Sequence, residues 1–450
     1  LTLAACTSPA YPAPEVPREA VAVPEAVEPT VTPAASSPTP SPLPEAPPLP
    51  PSPEPSSTPP PVRAIAVGEH LSCALLEGGE VRCWGATRLA AIPYTPRPMP
   101  IGIADAVSIS VGERHACAAR ADGSVVCWGD NRDGQIGDGT TNPATTLTTV
   151  PGLKDIVEVA AGGVHTCARD RDGAVFCWGH PGCVGHPRAA AASRPGRVQM
   201  PAAKGLVIGD DITCARFDAA PTRCWGFNTT TLLHSHLGPV DRAIVARPLE
   251  KATVLAIGDR HACATFDDDL VWCAGSDHHG QLGDQYEVPD DAMCDKYSGR
   301  KVTCRWTERI PPDPPPRPDE PPRPMIYPPP PGRAPKQETR EYPNQQWFVL
   351  AGGVHATALA AADGRSCAIT PARTVTCWGQ WYFGTDWAYR RPRTIAGVED
   401  AVAIAVAQEH ACALRGDRTV VCWGFNRSGE LGNGTIVDHI EGVPAAPVRW

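Results

Sequence analysis

The 450-residue sequence predicts an all-β chain folded as a seven-bladed β-propeller. Three observations carry that prediction. One phrase is written seven times, each copy has the chemistry of a β-hairpin, and the copies recur at a nearly fixed period. The phrase is clearest over residues 115–129, HACAARADGSVVCWG, and returns as VHTCARDRDGAVFCWG and EHACALRGDRTVVCWG. Its cysteines pair as Cys73 with Cys83, Cys117 with Cys127, Cys167 with Cys177, Cys214 with Cys224, Cys263 with Cys273, Cys367 with Cys377 and Cys412 with Cys422. The first cysteines lie 44, 50, 47, 49, 104 and 45 residues apart. A period of this size marks a solenoid, propeller or array. The long interval is one repeat plus about 57 further residues, an insertion.

Each copy reads as two strands and a turn. In CAARADGSVVC the apolar residues alternate, and Ala121-Asp122-Gly123 supplies turn chemistry. Folding the chain at Asp122 puts Cys117 opposite Cys127. Upstream of each hairpin lies a short apolar run such as DAVSISVG or DIVEVAAG. Upstream of that comes a Pro-flanked run such as PRPMPIGI, read as the outer strand of the same unit. Four short strands per repeat make a propeller blade. On this reading residues 62–73 open in mid-unit, and APVRW at 446–450 supplies the strand missing from the first blade. Such a shared strand would leave no open sheet edge. The AGGVH at 351–355 mimics 161–165, but alignment on the cysteines places His355 one strand earlier.

The pattern Gly-x-x-His-x-x-Ala, Asp-Gly, Trp-Gly, Gly-Gln-Leu-Gly resembles the regulator of chromosome condensation repeat. It stands here as GERHACAARADGSVVCWGDNRDGQIG, GDRHACATFDDDLVWCAGSDHHGQLG and WGFNRSGELG. The resemblance covers about residues 62–285 and 344–450, and it implies a seven-bladed propeller. Departures are plain. The repeats at Cys214 and Cys367 lack the histidine, Gly-Gln-Leu-Gly is degraded at LLHSHLGP and GHPGCVGHP, and one Trp is Ala274. The resemblance also implies two alternative activities. One is inhibition of an extracellular or periplasmic enzyme, as in the β-lactamase-inhibiting relative. The other is guanine-nucleotide exchange, as in the eukaryotic namesake.

Net charge is −9 with no long basic stripe, which argues against nucleic acid as a partner. Eighteen cysteines suit an oxidising compartment. Directly opposed strand residues lie within disulfide reach, so the seven pairs are expected as cross-strand disulfides. Free buried cysteines packing between blades are the alternative; a mutually facing spacing chosen seven times favours the bridge. No Cys-x-x-Cys occurs. Cys294 and Cys304 repeat the ten-residue spacing inside the insertion at about 286–343 and suggest a disulfided hairpin there. Cys183, in the Gly/Pro loop HPGCVGHP, is left over and expected to be exposed. His180 and His186 beside it give a weaker metal reading.

The first residues add a compartment. Leu3-Ala4-Ala5-Cys6 resembles a bacterial lipobox, so residues 1–5 read as a signal remnant and Cys6 as the lipidated residue. Residues 6–61 then form a lipid-anchored, disordered linker. Its residues 8–61 hold 20 prolines and six Glu against one Arg. Such a segment cannot bury a core and extends as polyproline II, roughly 170 Å at full length. Residues 62–450 form the propeller.

Chemical motifs are sparse. There is no Walker loop, no His-Glu-x-x-His and no Gly-x-Ser-x-Gly. GDNRDGQIGDGT hints at a calcium loop, but Gly129 and Thr140 occupy the positions of its first and last carboxylates. His115, His165, His261 and His410 recur two residues before a cysteine and read as structural, bonded to neighbouring backbone. The pairs His234/His236 and His278/His279 lack a third ligand. The Trp of each Trp-Gly reads as blade packing. The expectation is therefore a non-catalytic, cofactor-free, monomeric propeller that binds a protein or cell-surface ligand through its loops. It would sit at the outer membrane or cell surface of a bacterium, or be secreted.

Overall fold

The ten-residue spacing becomes register. In the computed structural model, Cys73 lies directly across from Cys83, Cys117 from Cys127, Cys167 from Cys177 and Cys214 from Cys224. The same holds for Cys263 and Cys273, for Cys367 and Cys377, and for Cys412 and Cys422. Each of these seven pairs is joined by a disulfide with its Cα atoms 4.0–4.1 Å apart. The structure describes residues 61–186, 192–226, 240–246, 249–275, 280–283, 293–298, 301–307, 337–343, 349–379, 389–439 and 445–450. Cys6 and the proline-rich linker lie outside the described residues, as do His234, His236, His278 and His279.

Seven four-stranded antiparallel sheets form, each with its strands in sequential order. In the first blade these are β1 (Val62–Val67), β2 (Leu71–Leu76), β3 (Val81–Gly85) and β4 (Thr95–Pro100). The first three come from the repeated phrase. The fourth is the Pro-flanked run, which belongs to the blade before it rather than to the unit after it. Prolines cannot donate to a ladder, so they suit a sheet edge, and here they sit on the outermost strand. The first strands touch one another in sequence around the ring and are therefore innermost.

This phase overturns the expected mode of closure. The first blade is complete without help. The strand Ala446–Pro447 pairs with Val420–Gly424 and finishes the seventh blade. The ring closes face to face instead. Val62, Leu76 and Trp84 of the first blade share one core with Leu414, Val420 and Val448 of the seventh. Trp450 meets Trp84 edge to face, centroids 6.2 Å apart.

Among the described residues seven main cores form, one at each junction between blades. Each contains the cysteine pair of one blade, and all but the core of Cys214 and Cys224 also contain the third strand of the next. Cys214 and Cys224 sit in the core that Ile212 shares with Ala262. Cys367 and Cys377 sit in the one with Trp423, and Cys412 and Cys422 in the closing one with Trp84. In six of the seven cores the Trp of that third strand is present: Trp128, Trp178, Trp225, Trp378, Trp423 and Trp84. All fourteen cysteines are at most 2% exposed, so the bridges also act as apolar filler. Disulfide and packing, set against each other by the sequence, coincide.

The insertion interrupts the fifth blade between its third strand, Leu270–Gly275, and its fourth, Val349–His355. It contributes a separate three-stranded sheet, Met293–Ser298, Lys301–Thr307 and Gln337–Pro343, with Cys294 opposite Cys304. The third of these strands extends the expected hairpin. His355 ends the outermost strand of the fifth blade, two strands before the position equivalent to His165 rather than one.

Candidate functional site

Four of the seven junctions carry a buried polar latch. His115 Nε2 lies 2.7 Å from Thr166 Oγ1 in the next blade. His165 meets Thr213 at 2.7 Å, His261 meets Ser366 at 2.7 Å, and His410 meets Ser72 across the closing junction at 2.6 Å. The partner is a side-chain hydroxyl of the next blade, not the local backbone that the repeat pattern suggests.

The hydroxyls fix the tautomer. Thr166 Oγ1 also lies 2.8 Å from the Gln135 carbonyl, which can only accept. A hydroxyl has one proton, so His115 must donate from Nε2. Ser366 with the Gln281 carbonyl and Ser72 with the Glu430 carbonyl impose the same form on His261 and His410. Those carbonyls belong to Gly-Gln-Ile-Gly, Gly-Gln-Leu-Gly and Gly-Glu-Leu-Gly. Each also accepts the indole N–H of the next blade: Trp178 at 2.8 Å, Trp378 at 2.9 Å and Trp84 at 2.7 Å. A side chain on Gly137, at φ 85°, would meet Trp178 at 2.6 Å. The loop, the histidine, the hydroxyl and the tryptophan form one interblade clasp.

Burial keeps these histidines neutral. It pushes His115, His261 and His410 down to about 4 and His165 down to about 3. Where a blade lacks the histidine, the next blade lacks the hydroxyl. Leu71 faces Ala116, Ile212 faces Ala262, and Arg365 precedes Ala411. Arg365, 1% exposed, donates instead to the Ala407 carbonyl at 3.2 Å.

The same end of the ring carries a rim of turns between first and second strands. In five of these turns a glycine presses on its neighbour. A Cβ on Gly112, Gly162, Gly209 or Gly258 would strike the carbonyl of Gly162, Gly209, Gly258 or Asp363 respectively. The residue after the glycine is thereby brought to the axis, and it is Glu69, Glu113, Gly163, Asp210 and Asp259 in successive blades. Glu69 is paired with Arg114 at 3.0 Å. His70 is held between Glu430 at 3.5 Å and Glu409 at 3.7 Å, and its hydrogen bond to Glu430 raises its pKa. Across the axis the charges are less balanced. Burial raises Asp210, with Glu113, Asp259 and Asp363 adding repulsion. Burial raises Asp211 to about 7, with Asp259 and Glu113 reinforcing it. This rim has no signal within one repeat and appears only when equivalent turn positions are read around the ring.

Other predicted positions resolve simply. Cys183 is not exposed. It takes the place of Gln135 in its own loop, is completely buried beside Val164, and is disulfide-bonded. His186 shares a 3.2 Å hydrogen bond with the Cys177 carbonyl, and the Gly182 N–H donates to His180 Nδ1. Among the described residues no three His, Cys, Asp or Glu side chains converge on a metal position. In the loop resembling a calcium site, Asn131 and Asp138 bond their own loop: the Ile136 N–H donates to Asn131 and the Thr140 N–H to Asp138. Asn426 makes the same scaffold in the seventh blade, with Asn433 in place of the aspartate. Among the described residues no helix is long and apolar enough to cross a membrane.

Comparison with known proteins follows this geometry. The model of the regulator of chromosome condensation repeat matches residues 106–135, 156–183, 253–281 and 401–430, and a second model of that repeat matches 122–169. No curated protein matches the sequence. Among solved structures, yeast RCC1 (Prp20) bound to Kap60 is similar over 86% of this chain and 84% of its own, at 17% identity and TM-score 0.59. Human WBSCR16 is similar over 80% and 85%, at 14% identity and TM-score 0.58. Prp20p from Saccharomyces cerevisiae, described with its binding to Gsp1p and histones, is similar over 82% and 86%, at 18% identity and TM-score 0.58.

Proposed function

From the premise that this chain carries regulator of chromosome condensation repeats on a seven-bladed propeller, we propose that it is a non-catalytic binding platform outside the cytoplasm, tethered by a lipid on Cys6. The observation that carries the platform reading is the clasped ring. Four histidine–hydroxyl bonds and seven disulfide-filled cores hold the turns of one face on a rigid support. Rigid presentation of loops is what a recognition surface needs. Prp20p, with the same fold, is described as binding Gsp1p and histones, which supports a protein as the class of ligand. Fold alone does not name that ligand. The compartment rests on the paired cysteines and on Leu3-Ala4-Ala5-Cys6.

One experiment on the full-length chain addresses both parts. Wild type and Cys6→Ala are expressed in a bacterial host, cross-linked on intact cells, fractionated and identified. Wild type is expected in the detergent phase with a stoichiometric protein partner, and Cys6→Ala in the aqueous phase with the same partner. Equal partition of both removes the anchor; recovery of uncross-linked monomer alone removes the platform.

A further inference from the structure

The junction that closes the ring carries a second histidine, of a different kind from His410. His70 lies three residues before Cys73, in the first turn of the first blade. Its Nδ1 is 3.5 Å from Glu430 Oε1 and 3.7 Å from Glu409 Oε2, both in the seventh blade, and its Nε2 is 3.7 Å from Glu69 Oε1. Glu430 is completely buried. Its Oε2 accepts the Ser428 N–H at 2.8 Å, while Oε1 and His70 Nδ1 are buried with no other hydrogen-bond partner. A buried carboxylate oxygen without a donor is costly, and an imidazolium supplies both the opposite charge and the N–H.

The loop itself does not need a carboxylate there. In the second blade Gln135 Oε1 makes the same internal bond, accepting the Asp133 N–H at 2.9 Å. Three residues before the first cysteine of the following blade stands Val164 after Gln135, Gly364 after Gln281 and His70 after Glu430. Among these three loops the acid and the histidine thus occur together, at the junction of the first and last blades. His70 also differs from the clasp histidines in access. Its side chain is 34% exposed, so it can exchange a proton with solvent while the ring stays closed. His410 is 0% exposed and stays neutral. Arg114 of the second blade is engaged by Glu69 at 3.0 Å. Burial raises Glu409, with His70 and Arg427 opposing it, Glu430 adding repulsion and Arg365 a smaller opposing influence.

We propose that His70 is a proton-operated lock on the closing junction. Protonated, it ties Glu430 and Glu409 of the seventh blade to the first. Deprotonated, it leaves Glu430 buried without a counter-charge, and this junction loosens while the others hold. The contact with Glu430 raises His70, so its stabilisation is complete below pH 6.5 and is lost as pH rises through its folded value. That sign is opposite to the clasp histidines. The lock does not depend on the platform reading.

The test uses full-length oxidised protein and amide hydrogen exchange, read by mass spectrometry from about pH 6.5 to about pH 9 and corrected for the base-catalysed chemical rate. In wild type, peptides on both sides of the seam, residues 62–76 and 446–450, are expected to exchange about tenfold faster at the higher pH. Peptides from the junction of Gln135 with Val164 are expected to change by less than about twofold. His70→Val/Glu430→Gln recreates that junction at the seam, so it should fold and show no pH response there. In NMR the His70 ring should titrate above 6.5 in wild type and at lower pH in Glu430→Gln. Equal acceleration at both junctions, none at the seam, or an undiminished response in the double variant overturns the proposal. A His70 midpoint that Glu430→Gln leaves unchanged also overturns it.

Discussion

The junction of the second and third blades and that of the fourth and fifth solve one packing problem in two ways. At the first, His115 Nε2, Thr166, Trp178 and the Gln135 carbonyl form one hydrogen-bonded unit inside an apolar core. At the second, Ile212 meets Ala262, and Ala274 stands where the tryptophan would be. Both keep a disulfide and aliphatic packing, the second through Cys214 and Cys224. The lesson is that the histidine and its hydroxyl are present together or replaced together. A partial clasp strands a buried polar group, which costs more than an apolar replacement of the complete set. Among the described residues, the indole N–H groups of Trp128 and Trp225, whose preceding loops lack an intact Gly-Gln-Leu-Gly, have no acceptor, so the tryptophan does not follow the histidine.

Acid separates the two kinds of junction most strongly. A histidine held neutral in the fold at about 4, against 6.5 unfolded, stabilises above 6.5, and that stability is lost as pH falls toward 4. The sign is opposite for Asp211, raised to about 7, which favours the fold at acid pH. Four histidines at up to about 3 kcal/mol each outweigh it. Asp130 beside His115, and Glu430, His70 and Arg365 around His410, modulate individual sites. The melting temperature is expected to fall steeply from pH 6.5 to pH 4. A flat profile would show that the buried imidazoles do not resist protonation.

A double-mutant cycle converts one junction into the other. Thr166→Ala leaves His115 Nε2–H without an acceptor and should cost about 1–3 kcal/mol, as should His115→Leu. The pair together recreates Leu71 facing Ala116, so its cost should be well below the sum. Additive losses, measured by denaturant unfolding, would mean that the clasp is not a unit.

The smallest contrast lies between two tryptophans. Trp178→Phe removes a bond to the Gln135 carbonyl, whereas Trp128→Phe removes none. The first should be more destabilising by about 1 kcal/mol. Equal losses would assign the tryptophan's whole contribution to packing.

Much of this was legible in the sequence, but only along one direction. Period, hairpin turns and the register of Cys117 with Cys127 follow from reading each repeat internally. The partner of His115 required comparison of a repeat with its successor. His two residues before a cysteine accompanies Ser or Thr one residue before the next repeat's cysteine, and Leu71, Ile212 and Arg365 accompany Ala. The acidic rim required reading one turn position around the whole ring. The blade boundary was misread because Thr95–Pro100 lies between two apolar runs and pairs with the earlier one only through a loop. Burial of Cys183 was hidden by its Gly/Pro neighbours, which mark a turn but not what packs over it.

The ten-residue register also fixes an order of events. As a chain emerges from its N-terminus, the first cysteine of each blade pair has its correct partner as the next to appear, about 0.5–2 s later at ordinary synthesis rates. Native pairing is then also the first pairing on offer. The fifth blade is the exception in a different respect. Its third strand ends at Gly275 and its fourth begins at Val349, so 73 residues intervene, against 9 to 21 in the other blades. That sheet waits roughly 4–15 s with an open edge while Cys294 and Cys304 arrive beside an already paired Cys263 and Cys273. Local closure of each bridge before the next cysteine appears keeps the ten blade cysteines already made, Cys73 to Cys273, from competing during that pause.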